Sequence, residues 1–97
     1  MFTSKQRSKL RSIAQTIEPV GQIGKGGITD NMVEALSDVL DKRELIKITV
    51  LNNTLDDAKT LSIELAEKLN AEVVCVIGHK IVLYRYSKKD GVNHIEY

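Results

Sequence analysis

Tryptophan is absent from this chain, and cysteine, proline and phenylalanine occur once each in 97 residues. The lone thiol, Cys75, cannot close a disulfide within the chain, which excludes the stapled class of small secreted domains. One proline and six glycines leave no low-complexity linker and no boundary between domains. The longest unbroken apolar run, residues 73–77, is far short of the ~18 residues needed to cross a membrane. Charge of one sign is also missing, since 14 Lys+Arg stand against 13 Asp+Glu for a net +1. These absences give the expectation of one soluble domain, monomeric and cytoplasmic, with no membrane association. What is present is ordinary for a globular protein, 42% hydrophobic and 28% charged. At this length roughly 60–70% of the unfolded surface can be hidden in a core.

The near-neutral total conceals an asymmetry. Residues 1–28 carry Lys5, Arg7, Lys9, Arg11 and Lys25 against Glu18 alone, while residues 29–72 carry five bases and ten acids. From residue 73 onward Lys80, Arg85, Lys88 and Lys89 outnumber Asp90 and Glu96. A basic start, an acidic middle and a basic end can build one positive face, the quantity that matters for attracting a polyanion.

Periodicity orders the elements. Thr3 and Gln6 have capping-box spacing, and Leu10, Ile13, Ala14 and Ile17 form one apolar stripe of a helix expected to end at Pro19. Lys5 and Lys9 flank that stripe on one side, Arg7 and Arg11 on the other. The acid-free start also has the composition of an organelle transit peptide, against which the capping box and the stripe argue. Residues 20–23 read as a short strand, followed by Gly24-Lys25-Gly26-Gly27. Thr29 is the expected cap of a second helix with Met32, Val33, Leu36, Val39 and Leu40 on its apolar face and Asp30, Glu34, Asp38 and Asp41 on a solvated one. Residues 45–51 read as a strand. Asn52, Asn53 and Thr54 are the expected turn and cap of a third helix, with Asp56 and Asp57 at its positive end and Leu55, Ala58, Leu61, Leu65, Ala66 and Leu69 buried. Ile63 falls off that stripe and is expected to be exposed. Residues 73–77, apolar without alternation, read as a strand covered on both faces or at the sheet centre. Gly78 and His79 turn the chain into a strand over residues 80–86.

The result is an α/β fold in one compact domain, in α-β-α-β-α-β-β order, with three helices and a four-stranded mixed sheet. Its core spans about residues 4–86, and residues 87–97 are expected to be a flexible tail. If the first three strands run parallel, their carboxyl ends share an edge that collects residues 24–27, Asn52-Asn53 and the Gly78-His79-Lys80 turn. Ligands of open α/β sheets bind at such an edge.

The glycine turn carries a mechanism of its own. Glycines leave no side chain between an approaching phosphate and the backbone amides, and the following helix presents further amides and its positive end. Gly24, Lys25, Gly26, Gly27 and Ile28 are therefore candidates to hold a phosphodiester, or alternatively a tight turn that binds nothing. The spacing is neither a P-loop, which needs Lys followed by Ser or Thr, nor a dinucleotide fingerprint, which Thr29 breaks. Catalytic sets are missing as well: Cys75 lies in an apolar strand, and His79 and His94 have no partner at metal-ligand spacing. No enzyme activity, cofactor, metal or small-molecule substrate is expected. Tyr84 and Tyr86 alternate around Arg85, so the rings either stack on bases or pack in the core.

Three stretches form a set: Ile23-Gly24-Lys25-Gly26-Gly27-Ile28-Thr29, Glu44-Leu45-Ile46-Lys47-Ile48, and Val76 through Arg85 with Gly78-His79-Lys80 in it. In order and spacing they resemble the chloroplast RNA splicing and ribosome maturation (CRM) domain, in its stand-alone bacterial YhbY-like form. The resemblance implies a compact RNA-binding domain shaped like the C-terminal domain of the third bacterial initiation factor, with a KH-like G-x-x-G loop. It also implies ribosomal RNA or precursors of the large ribosomal subunit as partner. The third loop position, often Asn in the family, is Gly26 here, so any role there is through the backbone. The expected RNA-binding set is Gly24, Lys25, Gly26, Gly27 and Ile28, with Lys5, Lys9, Arg11, Lys80 and Arg85 adding attraction. The other reading of the chain is a protein-interaction module docking through the acidic second helix and Ile63.

Overall fold

The computed structural model describes residues 2–51, 57–89, 91, 92, 94, 95 and 97. Helix α1 (Ser4–Ala14) opens with the expected box: the Thr3 hydroxyl accepts from the Gln6 amide, and the Gln6 side chain accepts from the Thr3 amide. It ends well before Pro19. The amides of Gln15, Thr16 and Ile17 bond three residues back, and the Thr16 hydroxyl donates to the Ile13 carbonyl at 2.7 Å, which tightens the last turn and closes the helix.

Strand β1 (Gly21–Ile23) leads through the glycine turn to α2 (Asp30–Arg43), capped by Thr29 as its sequence predicts. Glu44 follows at φ 64° and joins α2 directly to β2 (Leu45–Val50). The expected cap at Thr54 and the residues Asn52, Asn53, Leu55 and Asp56 lie outside the described residues. The cap of α3 (Ala58–Leu69) is Asp57, whose carboxylate accepts from the Thr60 amide at 2.8 Å. Strands β3 (Glu72–Ile77) and β4 (Lys80–Tyr84) form a hairpin turned at Gly78, where φ is 57°.

The sheet order is β1-β2-β4-β3. β1 and β2 are parallel, and β4 is antiparallel to both β2 and β3, so β1, β2 and β3 all point the same way. The crossover from β2 through α3 skips one position, and β4 fills it. β3 is therefore an edge strand and not a central one. Its lack of alternation has another cause, a bulge between Val73 and Cys75 that turns Val74 and Cys75 to one face and Val73 and Val76 to the other.

Two cores follow. On one face α2 and α3 cover Ile23, Ile46, Ile48, Ile81 and Leu83, all with no exposed surface. On the other face α1 places Leu10 and Ala14 against Leu45, Val74, Val82 and Tyr84. Ile63 is 53% exposed, as its place off the stripe predicts.

The expectation of a flexible tail does not hold for its described residues. Ser87 is buried, Ile95 packs beside α1, and the Tyr97 ring lies edge-on to Phe2 and Tyr84 at centroid distances of 5.6 and 5.1 Å. The anchor is Glu44, whose carboxylate accepts from the amides of Ser87 (2.7 Å) and Ile95 (2.9 Å) and from His94 Nδ1 (2.7 Å). The tail supplies the donors that a buried carboxylate needs.

Candidate nucleic-acid interface

The shared direction of β1, β2 and β3 gathers their carboxyl ends on one edge, as the element order predicts. That edge is lashed together by backbone bonds. The Leu51 amide donates to the Ile23 carbonyl at 2.8 Å, and the Val50 amide donates to His79 of the hairpin tip at 2.7 Å. The glycine turn and the Gly78-His79 tip thus stand on either side of the end of β2.

Within the turn, the Gly27 amide donates to the Gly24 carbonyl at 3.0 Å, closing a β-turn with Lys25 and Gly26 at its tip. Gly27 then takes φ 70°, a conformation that suits glycine. This removes one expected phosphate donor, because the Gly27 N–H points into the turn. The amides of Gly26 and Ile28 have no hydrogen-bond partner among the described residues. Lys25 and Gly26 are exposed, and a Cβ built on Gly26 meets nothing within 4 Å. Asp30 occupies the first turn of α2, so a carboxylate already answers the positive end of that helix. The turn's capacity to hold an anion rests on its own amides and on Lys25.

Lys80 reaches the same edge from β4, and its Nζ donates to the Thr49 hydroxyl at 2.7 Å. An ammonium carries three donors, so two remain for a ligand. His79 is exposed at the hairpin tip.

The remaining expected residues lie elsewhere. The amino end of α1 sits at the opposite end of the sheet, with Phe2 against Tyr84 and the Arg7 guanidinium on the carbonyls of Val73 (3.1 Å) and Val74 (2.7 Å). Lys5 belongs to that far end, and Lys9 is exposed on the flank of α1 turned away from Arg7 and Arg11. Neither stands at the turn. Arg11 is exposed one turn after Arg7 on the same flank of α1. Burial pushes the Cys75 thiol up, and the charges of Arg11 and then Arg7 pull it part of the way back.

Arg85 is not available to a ligand. Its guanidinium donates to the carbonyls of Ser37 (2.7 Å) and Leu69 (2.8 Å), to the Ser37 hydroxyl, and to Asp41 Oδ1 at 2.9 Å. It ties α2 to α3. The same contact gives Asp41 a partner, while its side chain stays 43% exposed on the acidic face of α2. Tyr84 is 5% exposed, ringed by Phe2 and Tyr97, and burial pushes its phenol up, so it is a neutral core side chain. Tyr86 lies beyond the end of β4 and stacks on His94 at 4.4 Å.

Two residues escaped the sequence reading. Glu44 is fully buried, and burial alone would raise its carboxyl. The Ser87 amide, the His94 ring and the Ile95 amide nevertheless hold it below the ordinary carboxylate range. An acid between a helix and a strand gives no hint of such burial. Lys47 is a strand residue between the buried Ile46 and Ile48, and strict alternation would have assigned it to the opposite face.

The arrangement holds no cluster of His, Cys, Asp or Glu suited to a metal among the described residues, and no described helix is long and apolar enough to cross a membrane. Comparison with known proteins agrees with the fold. The chain is 41% identical over 90 residues to the Bacillus subtilis protein named Probable RNA-binding protein YqeI, covering 93% of this chain and 94% of that protein. It is 29% identical to a Haemophilus influenzae protein named RNA-binding protein, covering 91% and 89%. The solution structure of SAV1595 from Staphylococcus aureus, described as an RNA-binding candidate, is 51% identical and superimposes with a TM-score of 0.78 over 93% of this chain and 94% of that one. Residues 2–85 match the model of the CRS1 / YhbY (CRM) domain, and this near-complete span, together with the glycine turn and the α/β frame described above, makes the chain a member of that family.

Proposed function

We propose that this protein binds RNA without catalysing a reaction, and that the 24–27 turn is its principal contact. The observation that carries the reading is the tip of the turn: Lys25 and Gly26 exposed, amides at Gly26 and Ile28 with no partner among the described residues, and open space beside Gly26. A phosphodiester oxygen meets the amides, Lys25 reaches the same or the next phosphate, and Lys80 supplies a second positive group from the hairpin side. Such contacts fix RNA in place and carry little base information. The names of the relatives support RNA as the ligand. The partner we infer is ribosomal RNA within precursors of the large subunit, a flexible polyanion long enough to use the whole edge.

Titration of the full chain with large-subunit ribosomal RNA fragments at several salt concentrations tests the reading. Affinity is expected to fall with salt at a log–log slope of about −0.7 for each phosphate neutralised on a single strand. Lys25→Gln is expected to remove one such contact, about fivefold in affinity near 0.1 M salt. Gly26→Ala, which has open space for its methyl, is expected to keep the fold and weaken binding by standing between the amides and the phosphate. Salt-independent binding, or full affinity in both variants, would reject the turn as the contact. Sedimentation of cell extract with cross-linking to ribosomal RNA tests the partner: recovery away from large-subunit particles would reject it.

A further inference from the structure

The face of the sheet that carries α1 is only half covered. Leu45, Val74, Val82 and Tyr84 lie beneath the helix and are buried. Toward the glycine-turn edge the same face continues through Gln22, Lys47, Thr49, Lys80 and Ile77, one from β1, two from β2 and one each from β4 and β3. Register places them together: Gln22 pairs with Thr49, Thr49 with Lys80, and Ile77 with Lys80. The bond from Lys80 Nζ to the Thr49 hydroxyl confirms that these two side chains share the face. Gln22 is exposed, Ile77 is 50% exposed, and Lys47 and Thr49 are half-buried.

Two properties of this half-face specify its ligand. Its charge is of one sign, since Lys47 and Lys80 come from the strands, Arg11 is exposed on the flank of α1 that it shares with Arg7, whose guanidinium lies on β3, and none of the five strand positions is acidic. Lysine is depleted in strands, and Lys47 stands between two fully buried isoleucines with no ion pair among the described residues. The second property is the lack of Phe and Tyr rings. The chain has one Phe and three Tyr, and all four gather at the opposite end of the sheet: Phe2, Tyr84 and Tyr97 on one another, Tyr86 on His94. Stacking platforms for bases are built chiefly from aromatic rings, and the five strand positions of this half-face carry none.

We propose that the uncovered half of the sheet, through Lys47, Lys80 and Arg11, is a second contact surface for the sugar–phosphate chain of RNA, continuous with the 24–27 turn and indifferent to the bases. The proposal rests on the reading of the turn as an RNA contact and extends it across the sheet. RNA leaving the turn passes the end of β2 onto Thr49, Lys80 and Lys47, and its bases face solvent.

The test is a salt titration of the full chain and its Lys47→Gln, Lys47→Arg and Lys68→Gln variants with labelled single-stranded RNA homopolymers, alongside amide chemical-shift mapping of the unsubstituted protein. Lys47→Gln is expected to weaken binding about fivefold near 0.1 M salt and to make the log–log slope shallower by about 0.7. Lys47→Arg keeps both values, and Lys68→Gln, on the exposed side of α3, keeps both as well. Poly-A and poly-U are expected to bind within about threefold of each other, because backbone contacts do not read bases. The Gln22, Lys47, Thr49 and Lys80 amides move on RNA addition. Unchanged affinity and slope in Lys47→Gln, still amides on the half-face, or strong base preference each overturns the proposal. If Lys25→Gln weakens binding while Lys47→Gln does not, this surface is wrong and the turn stands. If the unsubstituted protein binds no RNA, the reading of the turn fails too.

Discussion

The two ends of the sheet use the same kinds of residue for opposite purposes. At the end where β4 finishes, Arg85 holds two carbonyls, a hydroxyl and a carboxylate, and Arg7 holds two more carbonyls. Glu44 there takes donors from three tail residues. At the end where β1, β2 and β3 finish, Lys25 projects into solvent, and among the described residues Lys47 has no ion pair and Lys80 has only a hydroxyl. Guanidiniums are planar forks suited to fixed carbonyls, whereas ammonium groups are mobile point charges. Formal charge therefore does not distinguish structural cations from candidate ligand-binding ones; the partners already present do.

This contrast breaks most easily at Glu44. Glu44→Ala leaves the amides of Ser87 and Ile95 without their acceptor in a buried site, and a loss of about 3 kcal/mol is expected in denaturant unfolding. The effect should follow pH. Because the folded carboxyl is held low, its contribution is fully present above the unfolded value near 4.5 and is lost as pH falls through the lower folded value. Melting temperature should drop through that acidic window in the native chain and less in Glu44→Gln. An equal drop in both would mean that the tail does not depend on this carboxylate.

Arg85→Ala comes next. It strips bonds from the Ser37 and Leu69 carbonyls and is expected to cost about 2 kcal/mol, with the half-exposed Asp41 pair contributing little of it. RNA affinity measured well below the melting temperature should hardly change. A large loss of affinity in a folded Arg85→Ala protein would return this residue to the binding set.

Gly27→Ala should cost about 1 kcal/mol, the penalty for a side chain at φ 70° where space is otherwise open. Lys25→Gln, at the other extreme, should leave stability within about 0.5 kcal/mol. A clearly destabilised Lys25 variant would show that the turn is held by its lysine and blur the division between the two ends.

How legible this was depended on whether a signal was local. The Thr3 and Thr29 caps, the seven elements and the exposure of Ile63 follow from periodicity and capping chemistry within a few residues. The common edge of the three strands followed from their order alone. The failures needed partners distant in sequence. Arg85 beside two tyrosines gave no sign that Ser37, Asp41 and Leu69 would enclose it, and the polar composition of residues 87–97 gave no sign that a buried acid awaited them. At the turn the glycines were legible as a backbone corner and Asp30 as the first residue after the Thr29 cap, but the inward Gly27 amide appears only in three dimensions.

The bulge in β3 has a consequence for how molecules of this protein meet one another. An unpaired border strand invites a neighbour's strand to add to it, and this one would otherwise be a flat, valine-rich template. The extra residue bends that border, and the Arg7 guanidinium plugs the two carbonyls at the bend, so an incoming strand finds its first acceptors occupied and its path twisted away. The basic helix thus covers part of the border that a second strand would need in order to add to this sheet.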